Sequence, residues 1–418
     1  MRRRSLLVAA MGLLVVIACH PRAGSEVWSY RHDGHGSDEV ATAVTTAKNG
    51  DVYAAGYLDA RPWNRTFAVV ALTSSGAQRW LVTLDRMTYD GGSWSRAWSI
   101  VCDDDGNVYV GGSYKGRMVV SLSASGDVRW EYPSVSDSTA RVGSSIVCGT
   151  DNNIYAAGQW SNAGEKSNFV VVSLAPDGSE RWLYRRKGRA YAVAWGPDGN
   201  LYVAGALDSL GFAVVSLSPD GTERWIGGLD RAGGTAVSLA FLDDGSVVAA
   251  GAYPTGGACV VRYDADGNRL WTWQRPYGHT WTYVMEAIAA DNRGNAYFAG
   301  YTSDSFTVAG LSKDGQQQWL HMYGSGSSGV DGGQAITVTP NGKVCCAGSA
   351  DGVATTAYEF DSDGTMLWSH SLGTLWGKSN VGGLAIAPDG NVLVAGSSAG
   401  FLSDGDFVVT CLAPQTGD

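Results

Sequence analysis

The sequence is short of positive charge. It holds 30 lysines and arginines against 40 aspartates and glutamates, and its formal net charge is −10. Removal of Arg2, Arg3 and Arg4 with an N-terminal leader would make the balance more negative still. A chain with this charge repels a phosphate backbone overall. Nucleic acid is therefore not an expected partner.

Helical patterns are missing as well. No segment after the leader repeats apolar residues at the helical period, and none is apolar enough over a sufficient length to cross a bilayer. The 57 glycines and the 44% hydrophobic residues are instead typical of a turn-rich, all-β fold with a large core.

Constellations of catalytic or metal-binding residues are also lacking. Adjacent Cys345 and Cys346 lie within one expected strand, where successive side chains point to opposite faces, so we expect two buried core cysteines. The segment that begins at Asp264 starts like a calcium loop, but it lacks the glycine and the final glutamate of such loops. His32 and His35 are expected to be two solvated histidines of a glycine-rich loop, and a metal site is the alternative. The sequence predicts no catalytic residue, no metal and no cofactor.

One sequence motif is repeated eight times along the chain, and Pro197–Trp225 is a clear copy of it. Asp-Gly turn signals at 198–199 and 220–221 separate short runs of strand-forming residues, which is typical of a β-meander. A glycine that closes the second strand recurs at Gly56, Gly112, Gly158, Gly205, Gly251, Gly300, Gly348 and Gly396. A tryptophan near the start of the fourth strand recurs at Trp28, Trp80, Trp130, Trp182, Trp225, Trp271, Trp319 and Trp368. A period of about 49 residues indicates a propeller or a solenoid.

The first residues have the pattern of an export signal. Three arginines precede an apolar run that ends at Ala18-Cys19. The segment 16–19 resembles the bacterial lipobox, and this resemblance implies that Cys19 is acylated and anchors the mature chain to a membrane. His20 in the following position implies the outer membrane where the cell has one. An ordinary signal peptide with an incidental cysteine is the alternative. We expect a leader over 1–18, a tether over 19–25 and a single domain over 26–418.

The repeat predicts an eight-bladed β-propeller of four-stranded antiparallel blades, with strands A to D running from axis to rim. The periodic tryptophans are expected to pack blade against blade, and truncation of one should cost about 3–5 kcal/mol. The chain starts with an orphan fourth strand around Trp28 and ends after a third strand at Phe407–Leu412. Pairing of these two segments would close the last blade and cover both edges.

The axial positions carry little charge. Eight A-strand positions stand eight residues before a turn glycine or, in one unit, before Asn152, and they are Thr42, Trp98, Ser144, Tyr191, Val237, Glu286, Gln334 and Gly382. Glu286 alone is charged, which favours a binding protein over an enzyme with an axial site.

The loops divide between two faces. Because antiparallel strands alternate in direction, the A–B and C–D turns lie on one face and the B–C and D–A loops lie on the other. The second group varies in length and chemistry, and it includes the segment 184–189, so a binding site is expected there. Its tryptophans and arginines have the composition of an interface. The candidate residues are Trp63, Arg65, Trp94, Trp160, Arg186, Arg231, Arg275, Trp281 and Trp376. The alternative is that these rings plug the channel mouth.

The repeat resembles the bacterial SBBP-type β-propeller repeat over about 390 of the 418 residues. The resemblance rests on D-x-x-G-N-x-Y-V-A-G, then F-V-V-x-L-x-x-D-G, then a tryptophan. The repeat is more loosely similar to the repeats of quinoprotein-like propellers. The first resemblance implies a fold and no particular activity.

The favoured function is that of a monomeric, lipid-anchored, non-catalytic propeller that binds a protein or a glycan of the cell envelope on its loop side. The alternative is an enzyme with an axial site, either a quinoprotein-like dehydrogenase or a carbohydrate-active propeller.

Overall fold

The protein is built from antiparallel sheets. The computed structural model describes residues 22–32, 39–61, 64–84, 95–114, 117–133, 141–160, 166–276, 284–302, 305–324, 335–348, 355–372, 379–398 and 405–415. Over these residues the chain forms 31 strands and no helix. No helix that could cross a membrane therefore occurs in the described part of the chain.

The strands follow the repeat units of the sequence, four to a unit. Units 1 and 2 hold β2 (Val40–Thr46), β3 (Val52–Arg61), β4 (Asn64–Leu72), β5 (Gln78–Leu84), β6 (Arg96–Cys102), β7 (Val108–Tyr114), β8 (Arg117–Leu122) and β9 (Val128–Pro133). Units 3 and 4 hold β10 (Arg141–Cys148), β11 (Ile154–Trp160), β12 (Asn168–Leu174), β13 (Glu180–Trp195), β14 (Leu201–Leu207), β15 (Gly211–Leu217) and β16 (Glu223–Gly228). Units 5 and 6 hold β17 (Thr235–Phe241), β18 (Val247–Ala252), β19 (Gly257–Tyr263), β20 (Arg269–Pro276), β21 (Val284–Ala290), β22 (Ala296–Thr302), β23 (Ser305–Leu311) and β24 (Gln317–Tyr323). Units 7 and 8 hold β25 (Ala335–Val338), β26 (Val344–Gly348), β27 (Thr356–Phe360), β28 (Met366–Ser371), β29 (Ser379–Ile386), β30 (Val392–Ser398), β31 (Asp406–Leu412) and β1 (Glu26–His32).

The described strands form seven sheets, six of four strands and one of seven. The sequence predicted eight separate sheets, and the difference lies in β13. This 16-residue strand pairs with β12 through residues 180–187 and with β14 through residues 188–195. Units 3 and 4 are therefore joined without a loop, and segment 184–189, predicted to be a loop, is strand.

Seven of the eight A strands carry a β-bulge within the described residues, β25 being the exception, and the bulge explains the periodic glycine opposite it. Pairing with the B strand shifts register around Thr42 in β2 and around Val237 in β17, and the same shift recurs in β6, β10, β13, β21 and β29. The bulge brings an A-strand carbonyl close to the opposite glycine. A Cβ on Gly251 would lie 1.9 Å from the Thr235 oxygen, so no larger residue fits there.

The periodic tryptophans join neighbouring units, as predicted. Each of seven indole Nε1 groups donates a hydrogen bond to a carbonyl in the C–D turn of the next unit, over 2.8–3.0 Å. The glycine of that turn lies against the same ring. A Cβ on Gly221, for example, would sit 2.7 Å from Trp182. These contacts lie at the rim, where apolar side chains of two units share one buried cluster.

Strand β1 pairs antiparallel with β31, with Ser29 opposite Thr410 and His32 opposite Phe407. Gly24 lies where the other units have their C–D turn glycine. It has a φ of 71°, its N–H donates to the Ala413 carbonyl over 2.8 Å, and a Cβ on it would lie 2.8 Å from Trp368. The two chain segments together reproduce one C–D turn, and we call the joint of residues 22–26 with 413–415 the seam.

Fifteen five-residue turns connect the A to the B strands and the C to the D strands, and they define the turn face. In each of them the N–H of the first residue donates to the carbonyl of the fifth. A glycine with positive φ or, once, Asn152 occupies the fourth position, as in a type I turn with a bulge. The opposite end of the strands, with the B–C and D–A connections, is the loop face.

The A strands form the inner layer. Each contacts the A strand of the next unit, from β2 through β6, β10, β13, β17, β21 and β25 to β29, and β29 contacts β2.

Candidate functional site

The predicted binding residues are only partly within the described structure. Trp63, Trp94, Trp281 and Trp376 lie outside the described residues, and so does Cys19. The remaining five, Arg65, Trp160, Arg186, Arg231 and Arg275, lie on units 1, 3, 4 and 5. They are dispersed around the structure and do not form a single cluster.

Arg65 takes part in a cationic group at the junction of units 1 and 2. Its guanidinium lies 4.4 Å from the centre of the Tyr57 ring, and the guanidinium of Arg96 lies 5.2 Å from the same centre. Ser95 donates its N–H to the Arg65 carbonyl over 3.3 Å. Burial lowers the pKa of Arg96, and the charge of Arg65 lowers it further. Two cations are thus held close together on the loop face.

Trp160 is covered rather than open. Its ring packs against the buried cluster between units 2 and 3, and the Arg185 guanidinium lies 3.7 Å from the ring centre. Its carbonyl accepts a hydrogen bond from Asn168 over 3.1 Å. The indole Nε1 is buried and has no hydrogen-bond partner among the described residues. Trp160 is half-buried, and Arg185 occupies the position over its ring that a stacked sugar would take.

Arg186 belongs to the rim. Its Nη2 lies 2.6 Å from Glu223 Oε2, and its Nε donates to Tyr184 Oη over 3.1 Å. The Tyr184 hydroxyl donates to the same glutamate oxygen over 2.5 Å. The three side chains join the D strands of units 3 and 4. Arg231 is exposed in the connection between β16 and β17, and Arg275 lies in β20 opposite Ala258.

A cationic notch is the feature that sequence reasoning missed. It is a cavity of about 330 Å³ on the loop face, between units 3 and 4. Its lining consists of Lys166, Ser167, Gly188, Arg189 and Asp208. The notch exists because β13 passes from unit 3 to unit 4 without a loop. The charged residues in 184–189 have the composition of a loop. Only the backbone pairing around Gly188 shows that the segment is a continuous strand.

Seven of the eight axial positions predicted from spacing coincide with the bulges, and the eighth, Gln334, lies outside the described residues. Thr42 Oγ1 donates to the carbonyl of Ala97 over 2.7 Å, and Ser144 Oγ donates to that of Ala157 over 3.0 Å. Glu286 is the one charged residue at the described bulge positions. Its residue surface is exposed, yet the protein around the carboxyl group removes enough water to raise the pKa of that group. Burial also raises the pKa of nearby Tyr301, and the charge of Glu286 adds to that shift.

Cysteine and metal chemistry complete the survey of the described residues. Cys345 and Cys346 are buried, carry free thiols and belong to different core clusters on the two sides of unit 7, which confirms their predicted role in packing. Asp264 accepts the N–H groups of Asp266 and Asn268 over 3.0 and 2.8 Å, as in an ordinary turn. No group of three histidine, cysteine or acidic side chains that could hold a metal occurs in the part of the chain that the structure describes.

Comparison with known proteins gives a fold and no family. No protein-family model matches the chain, and no curated protein matches it. Among solved structures, Sqt1 from Chaetomium thermophilum is 15% identical, with a TM-score of 0.61 over 95% of this chain and 100% of that one. A catalytically inactive virginiamycin B lyase from Staphylococcus aureus, solved with quinupristin, is 11% identical, with a TM-score of 0.49 over 78% of this chain and 97% of that one. At 15% identity the likeness to Sqt1 concerns the fold alone, and with the antiparallel sheets it makes the chain an all-β protein of the propeller type.

Proposed function

We propose that the eight units form a closed eight-bladed propeller. The cycle of contacts among A strands supports a ring, since β29 contacts β2. The shared strand β13 accounts for the seven-stranded sheet as two joined blades. The pairing of β1 with β31 and the position of Gly24 support closure at the seam. We propose as well that the eight units are repeats of the SBBP type.

We propose further that the protein is exported and anchored through a lipid on Cys19, in the outer membrane where one exists. The seam lies on the turn face and begins at Arg22. Three peptide steps separate Cys19 from Arg22, and they span at most about 11 Å when fully extended. The turn face would therefore lie beside the membrane, and the loop face would point away from it.

In this arrangement the protein acts as a monomeric, non-catalytic binding protein for an envelope protein or glycan. The observation that carries the proposal is the chemistry of the bulge positions, where only Glu286 is charged and the hydroxyls of Thr42 and Ser144 are already bonded to backbone. An active site needs several polar groups that converge on one substrate. The described part of the loop face instead offers dispersed cations, which suit an interface.

Cross-linking in envelope membranes tests this function. The Cys19-anchored full chain is compared with a loop-face variant, Arg231→Glu with Arg275→Glu, and with a turn-face control, Lys48→Glu with Arg293→Glu. We expect one defined partner that cross-links to the native chain and to the control but not to the loop-face variant. Equal cross-linking by all three proteins would refute a loop-face interface.

One observation favours the alternative of an axial enzyme. The Glu286 carboxyl has a raised pKa and a tyrosine beside it, and a shifted acid is a common part of an active site. If a dehydrogenase or glycosidase activity is found, Glu286→Gln should abolish it. Retention of that activity in the variant would remove this alternative.

A further inference from the structure

Within the described part of the chain, one passage from a unit to the next has no loop, and it is the passage through β13. The other D strands reach the next A strand through connections of six to eleven residues, whereas β13 makes the passage as one strand. The cationic notch lies above this strand. The B–C segment of unit 3 borders it on one side with Lys166 and Ser167, and Asp208 of unit 4 borders it on the other.

The floor of the notch is rigid. The Gly188 N–H donates to the Ser167 carbonyl over 3.0 Å, and the Asp208 N–H donates to the Lys187 carbonyl over 3.1 Å. Gly188 has a φ of 143°, and a Cβ on it would lie 2.1 Å from the Ala206 oxygen. The floor is therefore bare backbone, and the walls are fixed to it before any ligand arrives.

The charge of the notch is opposite to that of the whole chain. Lys166 and Arg189 line it and are exposed, and Lys187, next to Gly188 in β13, is exposed as well. The one acidic residue in its lining is Asp208, whose Oδ2 lies 3.7 Å from Lys166 Nζ. Glu165 directly precedes Lys166 in the sequence and lies outside the described residues. Lys166 keeps 83% of its side chain exposed, so this ion pair is weak and easily exchanged for another anion.

The opposite face strengthens the contrast. The fifteen turns of the turn face contain eighteen aspartates and four cationic residues, and arginines of the neighbouring strands pair with four of these aspartates, so an excess of negative charge remains. An approaching anion is repelled from that face and attracted toward the notch.

We propose that the cationic notch binds a phosphate group of an anionic envelope component. The proposal rests on the loop-face binding function and assigns it a ligand chemistry. Ammonium and guanidinium groups around a small, polar, preformed cavity are suited to phosphate, and 330 Å³ admits a phosphate with an attached sugar. A phosphorylated glycan and a phospholipid headgroup share this chemistry.

Isothermal titration of the detergent-solubilised full chain tests the proposal, with glucose 1,6-bisphosphate as the probe and glucose as its neutral counterpart. We expect binding of the bisphosphate alone, with an affinity that falls as salt rises. The variant Lys166→Gln with Arg189→Gln should weaken binding at least about tenfold. The matched control, Lys48→Gln with Arg293→Gln, removes two cations from the turn face and should bind as the native chain does.

A second variant and a vesicle arm complete the design. Ser167→Asp adds a negative charge to the notch and should also weaken binding, which guards against misfolding of the first variant. Sedimentation with phosphatidylglycerol vesicles that exceeds sedimentation with neutral phosphatidylcholine vesicles, and that the notch variants lose, identifies a headgroup as the source, because the lipid on Cys19 contributes equally to both. Bisphosphate binding without this excess identifies a glycan. Native-like binding by both notch variants, or no binding of either probe, would overturn the proposal. Partner cross-linking that persists in that case would leave the loop-face function standing.

Discussion

At the scale of single residues, the turn aspartate of the repeat is tied to its own blade. In unit 4, Asp198 Oδ2 accepts hydrogen bonds from Tyr202 Oη over 2.8 Å and from Arg224 Nη1 over 3.2 Å, and Arg224 also donates to Ser216 Oγ over 3.0 Å. Asp151, Tyr155, Arg181 and Ser173 repeat the arrangement in unit 3. The spacing of aspartate, tyrosine and arginine in the repeat is thus a structural network, and its polar residues are not free for catalysis.

This network should make stability depend on pH. Burial raises the pKa of Asp198, but hydrogen bonds from Asn200 and Tyr202 and the charge of Arg224 outweigh it, and the pKa lies below its usual range. A carboxylate whose pKa is depressed by folding stabilises the protein above its unfolded pKa of about 4, and the contribution is lost as pH falls through the folded value. We expect Asp198→Asn to lower the melting temperature at pH 7, with the difference from the native chain shrinking below about pH 4. A difference that does not change with pH in thermal melts would contradict this account.

The rim contact makes a second prediction, with a built-in control. Gly199 and Gly221 have φ values of 75° and 87°, but a Cβ on Gly199 meets nothing within 4 Å, whereas one on Gly221 would meet Trp182 at 2.7 Å. Gly199→Ala should cost about 1–2 kcal/mol of unfolding free energy from backbone strain alone. Gly221→Ala should cost about 2–5 kcal/mol, because overpacking against the indole is added. Denaturant titration measures both, and equal losses would show that the tryptophan contact contributes little.

At the scale of elements, the seam is the one irregular C–D connection among the described units. Trp368 lacks the turn carbonyl that its seven counterparts bond to, because two chain segments replace a continuous turn there. The fully buried Glu359 lies beside it, accepts the Gln415 N–H over 3.1 Å and faces Lys343, whose Nζ donates to the Gln415 carbonyl over 2.8 Å. A buried carboxylate thus fastens the C-terminal segment at the point where the repeat is interrupted.

Glu359→Gln should stabilise the protein at neutral pH. Burial raises the pKa of Glu359, and the hydrogen bond from Gln415 and the charge of Lys343 only partly oppose it. A raised folded pKa gives stability that is complete below the unfolded pKa of about 4.3 and is lost as pH rises through the folded value. The glutamine keeps an acceptor oxygen and carries no charge. We expect equal melting temperatures near pH 4 and a higher one for the variant at pH 7, and a variant less stable at both pH values would rule out this role.

Much of this organisation could be predicted from the sequence. The periodic glycine and tryptophan marked the units, and seven of the eight positions predicted from the spacing to the turn coincide with the bulges. The continuity of β13 could not be predicted, because Arg185, Arg186, Lys187 and Gly188 have the composition of a loop and only backbone pairing on both sides makes them a strand. The notch was missed for the same reason. Trp160 was misleading in another way, since position alone does not reveal that an arginine covers its ring.

At the scale of the whole molecule, the charge and the seam assign different tasks to the two faces. The turn face concentrates aspartates and carries the start of the described chain, so under the proposed lipid anchor it lies beside the membrane. The loop face carries the notch and points to the surroundings. This division depends on the ring being closed, because an open array of sheets would not fix the direction of either face.

A cross-link through the seam tests closure most directly. The Ser29 and Thr410 hydroxyls lie 3.1 Å apart on paired strands β1 and β31. The full chain carrying Ser29→Cys and Thr410→Cys is oxidised under native conditions and its peptides are identified by mass spectrometry, with the single Ser29→Cys variant as control. The account predicts a disulfide between positions 29 and 410 in the double variant. Free thiols at both positions in the folded, oxidised protein would contradict the closed ring.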